Sequence, residues 1–351
     1  MRWIASVLLL AAASGCPAPA ATICDNGDIC PADRACGSDG ACSRLAPDGG
    51  NGDDGATCTN DDLGCETPEG FVAMSTPAGS QPRAFSGTSG TEVYAVGPNS
   101  TVLHYTGSAW ESQPPLQTLG TLQDVVNFGD ELFAPSDAAN NVWHRQGGTW
   151  TAYSATSQVY SVWGATSTNV RASGRQAGIY HYTGSWSVQA APMSLQYDMR
   201  TIRGAGADTY CAVGGRRIYC DFGTSNDYIA GTAQYVTFSL GGSLGFVVGY
   251  DGASKYVWTF PAGTQQPTPT ILKQFDDTVN AVWAASDTDV YVGDAVGGIY
   301  HYDGTNWTKI GTPSPSPVTG LYGVRLAQGY VIFASSNDSA IWRYLPTGSH
   351  P

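Results

Sequence analysis

From about residue 80 onward, short runs of β-branched and aromatic residues alternate with turns rich in Gly, Ser, Asn and Asp. Apolar positions do not recur at helical spacing. The runs repeat as a set. The clearest copies are EVYAVGPNSTVLHYTGSAW (92–110), NVRASGRQAGIYHYTGSW (169–186) and DVYVGDAVGGIYHYDGTNW (289–307). Alignment on a four-residue core brings out seven copies: VLHY at 102, VWHR at 142, IYHY at 179, IYCD at 218, VWTF at 257, IYHY at 299 and IWRY at 341. Their spacings are 40, 37, 39, 39, 42 and 42 residues. The first core position is Val or Ile throughout, and the second is aromatic in all copies except that of Leu103. Such residues at such density predict strands.

Each copy predicts four strands. The first is typified by Val159-Tyr-Ser-Val-Trp-Gly164, the second by Glu92-Val-Tyr-Ala-Val-Gly97, and the third is the aligned core. The fourth opens on an aromatic after a Gly-rich turn: Trp110, Trp150, Trp186, Tyr228 or Trp307. Four short strands at a period near 40 predict an all-β, seven-bladed β-propeller, whose small sheets are stable only when stacked on their neighbours. Nine of the ten Trp fall in repeat columns, where packing between blades is the expected role. The seventh copy stops at Tyr344-Leu-Pro-Thr-Gly348 with no fourth strand. Upstream, Glu69-Gly-Phe-Val-Ala-Met-Ser-Thr-Pro77 resembles Asn306-Trp-Thr-Lys-Ile-Gly-Thr-Pro313, with Phe71 in the place of Trp307. The N-terminal strand is therefore expected to complete the last blade.

The chain before the repeats has a different character. Ile4 to Ala13 is an apolar run of ten residues, half of a membrane span, and reads as the core of an export signal. It ends in Ala13-Ser-Gly-Cys16, where Cys16 is the expected lipidation site of a bacterial lipobox. The competing reading is plain secretion with cleavage after Ala20. Expected boundaries are a signal peptide at 1–15, a Cys-rich, acidic and largely irregular stalk at 16–70, and the propeller at 71–351. The stalk holds 11 Asp/Glu against two Arg, and reads as a solvated spacer.

Eight Cys remain once Cys16 is set aside, an even number suited to disulfides in an exported chain. Cys24, Cys30, Cys36, Cys42, Cys58 and Cys65 staple the stalk in an undetermined pairing. Without a C-x-x-C or a nearby His they predict no metal site. Cys211 and Cys220 flank a hairpin. If Gly215-Arg216 forms its two-residue turn, Gly214 faces Arg217 and Cys211 faces Cys220, close enough for a cross-strand disulfide.

Composition narrows the function. Charged residues are 13% of the chain and the net charge is −13, which argues against a nucleic-acid partner. Four of the five His (His104, His144, His181 and His301) share one column of the third strand. A repeated column is spread around the ring, so these are expected to be structural. No nucleophile elbow, H-E-x-x-H, P-loop or dinucleotide fingerprint occurs, and no cofactor is expected. A glycosidase needs a convergent acid pair, whereas Asp289 opens a second strand and Asp303 lies in a turn, both ordinary positions. The suggestive column lies in the first strand. Aligned on Trp163 it contains Phe85, Val126, Arg203, Leu240, Trp283 and Arg325. First strands line the channel, and Trp with Arg is the composition of recognition hot spots. Trp163, Arg203, Trp283 and Arg325 are therefore the candidate ligand-binding residues; were the column to face between blades, the tryptophans would be core.

The pattern VWG…DVYAVG…ILHYDG…W resembles the repeat of predicted lipoproteins and secreted propellers of myxobacterial type, across residues 80–345. It is more loosely similar to tectonin-type lectin propellers. The first resemblance implies a propeller with a cell-envelope address and no established activity. The expected protein is a monomeric, exported binding module, lipid-anchored in the outer membrane or at the cell surface, or else secreted. It would recognise a protein or a glycan. The alternative is a propeller hydrolase or lyase acting on polysaccharide.

Overall fold

The computed structural model describes residues 70–344, apart from 114–118, 190–196, 207, 223–224, 264–266 and 327–328, together with the backbone of four short strands between residues 22 and 44. The second strands explain the architecture. In Glu92–Gly97, Val93 and Ala95 enter one apolar cluster, shared with Val324, Val331 and Phe333 of the seventh repeat. Tyr94 and Val96 enter another, shared with Leu132, Ala134 and Trp143 of the second. Successive strand residues point to opposite faces, so a strand buried on both faces must be apolar at each buried position, as Val93 to Val96 are here.

The result is a seven-bladed β-propeller of four-stranded antiparallel sheets, each ordered first, second, third, fourth. The first strands are Ala84–Ser89, Val126–Phe128, Val159–Thr166, Thr201–Gly206, Gln234–Leu240, Val279–Ser286 and Val318–Leu326, in blades one to seven. Among the described residues there is one apolar cluster for each of the seven interfaces between adjacent blades, and no single central core. Among the described residues, helix is confined to two 3-10 turns, Ala138–Asn140 and Arg175–Ala177.

The ring closes as the repeat pattern predicts. Phe71–Met74 is the fourth strand of blade seven, with Phe71 opposite Tyr344, Val72 opposite Arg343, Ala73 opposite Trp342 and Met74 opposite Ile341. Phe71 stacks on Tyr344 with centroids 4.9 Å apart. Met74 reaches blade one, where Trp110 Nε1 donates to its sulfur at 3.4 Å. In blade four, Gly214 pairs with Arg217 and Cys211 with Cys220, and the two cysteines form a buried disulfide with Cα atoms 4.1 Å apart. Gly215 between them has φ +55°, the left-handed backbone that a tight hairpin turn requires.

In the N-terminal segment, Thr22–Ile23 pairs with Ile29–Cys30 and Arg34–Cys36 with Cys42–Arg44, where the sequence predicted mostly irregular chain. The lipidation site Cys16, the signal, the rest of the stalk, and Cys24, Cys58 and Cys65 lie outside the described residues.

Removing residues 1–80 deletes the closing strand, whereas removing 1–66 keeps it. The loss of a buried Met and a stacked Phe costs at least about 3 kcal/mol. The shorter chain should therefore melt on the order of 10 °C below the longer one, as followed by circular dichroism. Equal melting temperatures would refute closure by this strand.

Candidate functional site

The blades share one up-and-down strand order, so all seven first strands run in the same sense around the axis. Their starts gather at one mouth of the channel. The channel holds a cavity of about 480 Å³, within the roughly 300–1,000 Å³ range of small-ligand pockets. Six residues at equivalent positions near the strand starts line this mouth: Arg83, Gln123, Tyr160, Arg200, Asn280 and Thr319. Arg83 and Arg200 are exposed and the other four are half-buried. The two arginines belong to blades one and four, three steps apart in a ring of seven, and so stand on nearly opposite sides.

Arg200 is held in place. Its guanidinium carbon lies 5.3 Å from the centre of the Tyr160 ring, and the Tyr160 hydroxyl donates to Asp198 Oδ2 at 3.1 Å. Burial, and then the charge and hydrogen bond of Asp198, raise the Tyr160 phenol above its ordinary range, so it remains a donor. Asp198 Oδ1 accepts from the Gln176 N–H at 3.1 Å. Tyrosine, aspartate and the neighbouring hairpin turn thus fix the platform under the arginine.

Arg203 lies three positions further along the same strand, about 10 Å deeper. Its Nη1 donates to Asp124 Oδ2 at 2.9 Å, to Ser161 Oγ at 3.1 Å and to the Ile202 carbonyl at 2.7 Å. Asp124 Oδ2 also accepts from Ser161 Oγ at 2.5 Å and from the Val162 N–H at 3.2 Å, and Oδ1 accepts from the Val125 N–H at 2.9 Å. One carboxylate thus ties blades two, three and four together. The pair is asymmetric: the Asp124 side chain is 7% exposed, whereas Arg203 keeps 35% of its side-chain surface accessible.

The structure brings Trp163, Arg203 and Trp283 together on the cavity wall, at one register level: opposite Arg171, Cys211 and Tyr291, respectively. Both tryptophans are half-buried, and their rings lie against glycines of the next blade. A Cβ on Gly204 would come within 2.3 Å of the Trp163 ring, and one on Gly323 within 2.1 Å of the Trp283 ring. Their demonstrated contact is therefore inter-blade packing, at the channel edge.

Register corrects three members of the sequence-aligned column. Ser86 occupies the position assigned to Phe85, Ser239 that assigned to Leu240, and Tyr322 that assigned to Arg325. In blades three, four and six the column residue precedes its second-strand partner by eight positions, whereas Ser239 precedes Phe246 by seven and Tyr322 precedes Phe333 by eleven, in a first strand of nine residues. Phe85 turns instead into the interface with blade seven. Arg325 sits opposite Tyr330, three positions beyond the column, and its side chain lies outside the described residues. The true column is a polar seam. The Ser86 hydroxyl accepts from Asn127 N at 3.1 Å, Ser239 from Ala284 N at 3.0 Å and Tyr322 from Gly87 N at 2.9 Å, in each case from the next blade.

The histidines form clips within blades. His104 stacks on Tyr94 and lies 3.0 Å from Glu92; His144 stacks on Phe133 and lies 2.8 Å from Glu131; His301 stacks on Tyr291 and lies 2.8 Å from Asp289. His181 makes the same contact with Asn169 at 3.0 Å. Burial opposes ionisation of Asp289, but hydrogen bonds from His301 and Tyr330 outweigh it and hold the carboxyl below its ordinary range. Among the described residues, the cavity lining contains no histidine and a single carboxylate, Asp124, and so lacks the acid pair of glycoside hydrolysis.

Arg83, Tyr160, Arg200 and Asp124 escaped the sequence reading. The rim trio forms a column three positions upstream of Trp163 and its register equivalents, and that column could have been tabulated.

No protein-family model matches the chain, and neither does any curated protein. Among solved structures, the chain is similar to YCF48 from Cyanidioschyzon merolae, with a TM-score of 0.61, 12% identity and coverage of 80% of this chain and 99% of that one. It is likewise similar to a structure titled YCF48 bound to D1 peptide, with a TM-score of 0.62, 13% identity and coverage of 80% and 98%. At this identity the likeness is one of fold.

Replacing Asp124 by Ala strips the acceptor from Ser161, the Val162 N–H and a guanidinium at once. The variant should lose about 3–5 kcal/mol of stability in urea unfolding. A loss below 1 kcal/mol would mean that this network does not secure the three blades.

Proposed function

We propose that this protein is an exported, lipid-anchored interaction propeller that binds a protein segment at the channel mouth formed by the first-strand starts. The observation that carries the reading is the charge of the cavity. The propeller from residue 71 holds 18 Asp/Glu and 13 Lys/Arg. Arg83, Arg200 and Arg203 reach the cavity, and among the described residues that line it Asp124 is the single carboxylate, with Asp198 behind Tyr160. An acidic domain has gathered cations at its axis. Gln123, Asn280 and Thr319 add side chains that can both donate to and accept from a peptide backbone. A propeller of the same fold has been solved with a peptide bound, which supports a protein ligand.

Export and anchoring rest on the sequence. An apolar run too short to span a bilayer leads into Ser14-Gly15-Cys16, and the acidic segment that follows separates the anchor from the propeller. The expected address is the outer membrane or cell surface, in keeping with the resemblance to myxobacterial-type propellers.

Two measurements test the reading. The purified full chain is screened against a random library of twelve-residue peptides and against a glycan array, alongside the Arg83→Gln/Arg200→Gln double variant. Peptide binding that the double variant loses by at least tenfold is expected. Binding to glycans alone, or peptide binding that ignores the two arginines, would overturn the assignment. Separately, Cys16→Ser should move the protein from the membrane fraction to the soluble fraction of its host; unchanged membrane association would refute the anchor.

A further inference from the structure

We infer that the occupant of the channel mouth is an acidic peptide segment, bound through side-chain carboxylates. The inference rests on the peptide-binding reading above and assigns the chemistry of the partner.

The rim places two exposed guanidiniums on opposite sides of the mouth; none of the six rim positions is a carboxylate, and Asp198, beside Arg200, is engaged by the Tyr160 hydroxyl and the Gln176 N–H. An arginine presents a planar fork that takes a carboxylate through two parallel hydrogen bonds. Arg200 is already oriented by Tyr160, so little further ordering is needed when it binds. A segment lying across the mouth can satisfy both rim arginines only if it carries more than one acidic group, or one group with access to both sides.

Arg203 adds a third contact, below the rim. All its hydrogen bonds to described residues run through Nη1. Asp124, its partner, is enclosed and fully engaged by Ser161 and backbone donors. Arg203 keeps 35% of its side-chain surface accessible and lines the cavity. An acidic side chain inserted from the rim would meet it there, about 10 Å down.

The global charge does not veto an acidic partner. At physiological ionic strength the Debye length is about 8 Å, so distant surface carboxylates are screened while the cavity arginines act at contact. The same balance disfavours a long polyanion, whose charges would extend over the acidic outer surface.

The test uses the full chain and three dye-labelled twelve-residue peptides with amidated C-termini: one rich in Asp and Glu, its Asn/Gln counterpart, and one rich in Lys. Fluorescence anisotropy should show the acidic peptide binding at least tenfold more tightly than the amide peptide, with no binding of the Lys peptide. Arg83→Gln and Arg200→Gln should each weaken the acidic peptide about tenfold, corresponding to about 1.4 kcal/mol. Lys273→Gln, an exposed residue on an outer strand of blade five, should change nothing. Both rim arginines are exposed, so the variants should keep the parent melting temperature, which circular dichroism checks. If the amide peptide binds as tightly as the acidic one and the arginine variants still lose library peptides, the acidic assignment fails while the peptide-binding mouth stands. If no peptide binds, both fail. If an oligogalacturonate binds more tightly than the acidic peptide, with the same dependence on arginine, the site belongs to acidic glycans and the inference is overturned.

Discussion

Every blade of this protein depends on its neighbours, because each sheet is apolar on both faces and only another blade can cover it. The apolar clusters show this directly: each draws residues from two adjacent blades, and none belongs to one blade alone. A ring built this way has no free end to tolerate. Were blade seven left with three strands, Tyr344 and Trp342 would present an unpaired edge. The N-terminal strand removes that edge, and Met74 carries the contact on into blade one. Closure therefore links the two ends of the domain through side chains as well as through a ladder.

The same requirement shapes the channel wall. Near the axis the sheets come closest together, so residues there must be small, or must lie flat against something small. Trp163 against Gly204 and Trp283 against Gly323 are one solution. Where no large ring is present, a hydroxyl takes the next blade's N–H, as at Ser86, Ser239 and Tyr322. Asp124 is the strongest of these links, because it collects donors from blades three and four. The deep wall is thus committed to holding the blades together. The rim, one to two residue pairs higher, is not bound by that demand: Arg83, Gln123, Tyr160, Arg200, Asn280 and Thr319 vary freely in chemistry at equivalent places. Recognition can be written at the rim without disturbing the ring.

How much of this was legible in the sequence follows from the same division. Blade number, strand order, the closing strand and the Cys211–Cys220 pairing could all be read, because inter-blade burial imposes a near-regular period on the third-strand core and on the flanking aromatics. The site could be read only in part. Trp163, Arg203 and Trp283 align correctly because blades three, four and six keep a common count from the first strand to the second. Blades five and seven do not. The hairpin between the two strands is one residue shorter in blade five, where Ser239 faces Phe246, and three longer in blade seven, where Tyr322 faces Phe333, so Leu240 and Arg325 were placed where Ser239 and Tyr322 sit. The rim arginines were harder to see for a different reason. They lie before the apolar part of the first strand, where a repeat alignment carries least signal, and only the ring geometry sets Arg83 and Arg200 across from each other.

Charge separates the roles of the two arginine classes. Arg203 is paired within the fold, and its electrostatic attraction is largely spent on Asp124; what remains is a partly accessible side chain on the cavity wall. Arg83 and Arg200 are exposed, and Asp198, beside Arg200, already accepts from the Tyr160 hydroxyl and the Gln176 N–H. In water an isolated surface cation is well solvated and adds little to stability, so folding alone gives no reason to put two of them at the mouth of a channel in an acidic domain. Like charges so placed repel weakly, a small standing cost that an anionic ligand would reverse. Hydrophobic burial and hydrogen bonds between blades account for the deep wall, whereas the rim charges are the part of the channel that the proposed anionic ligand would use.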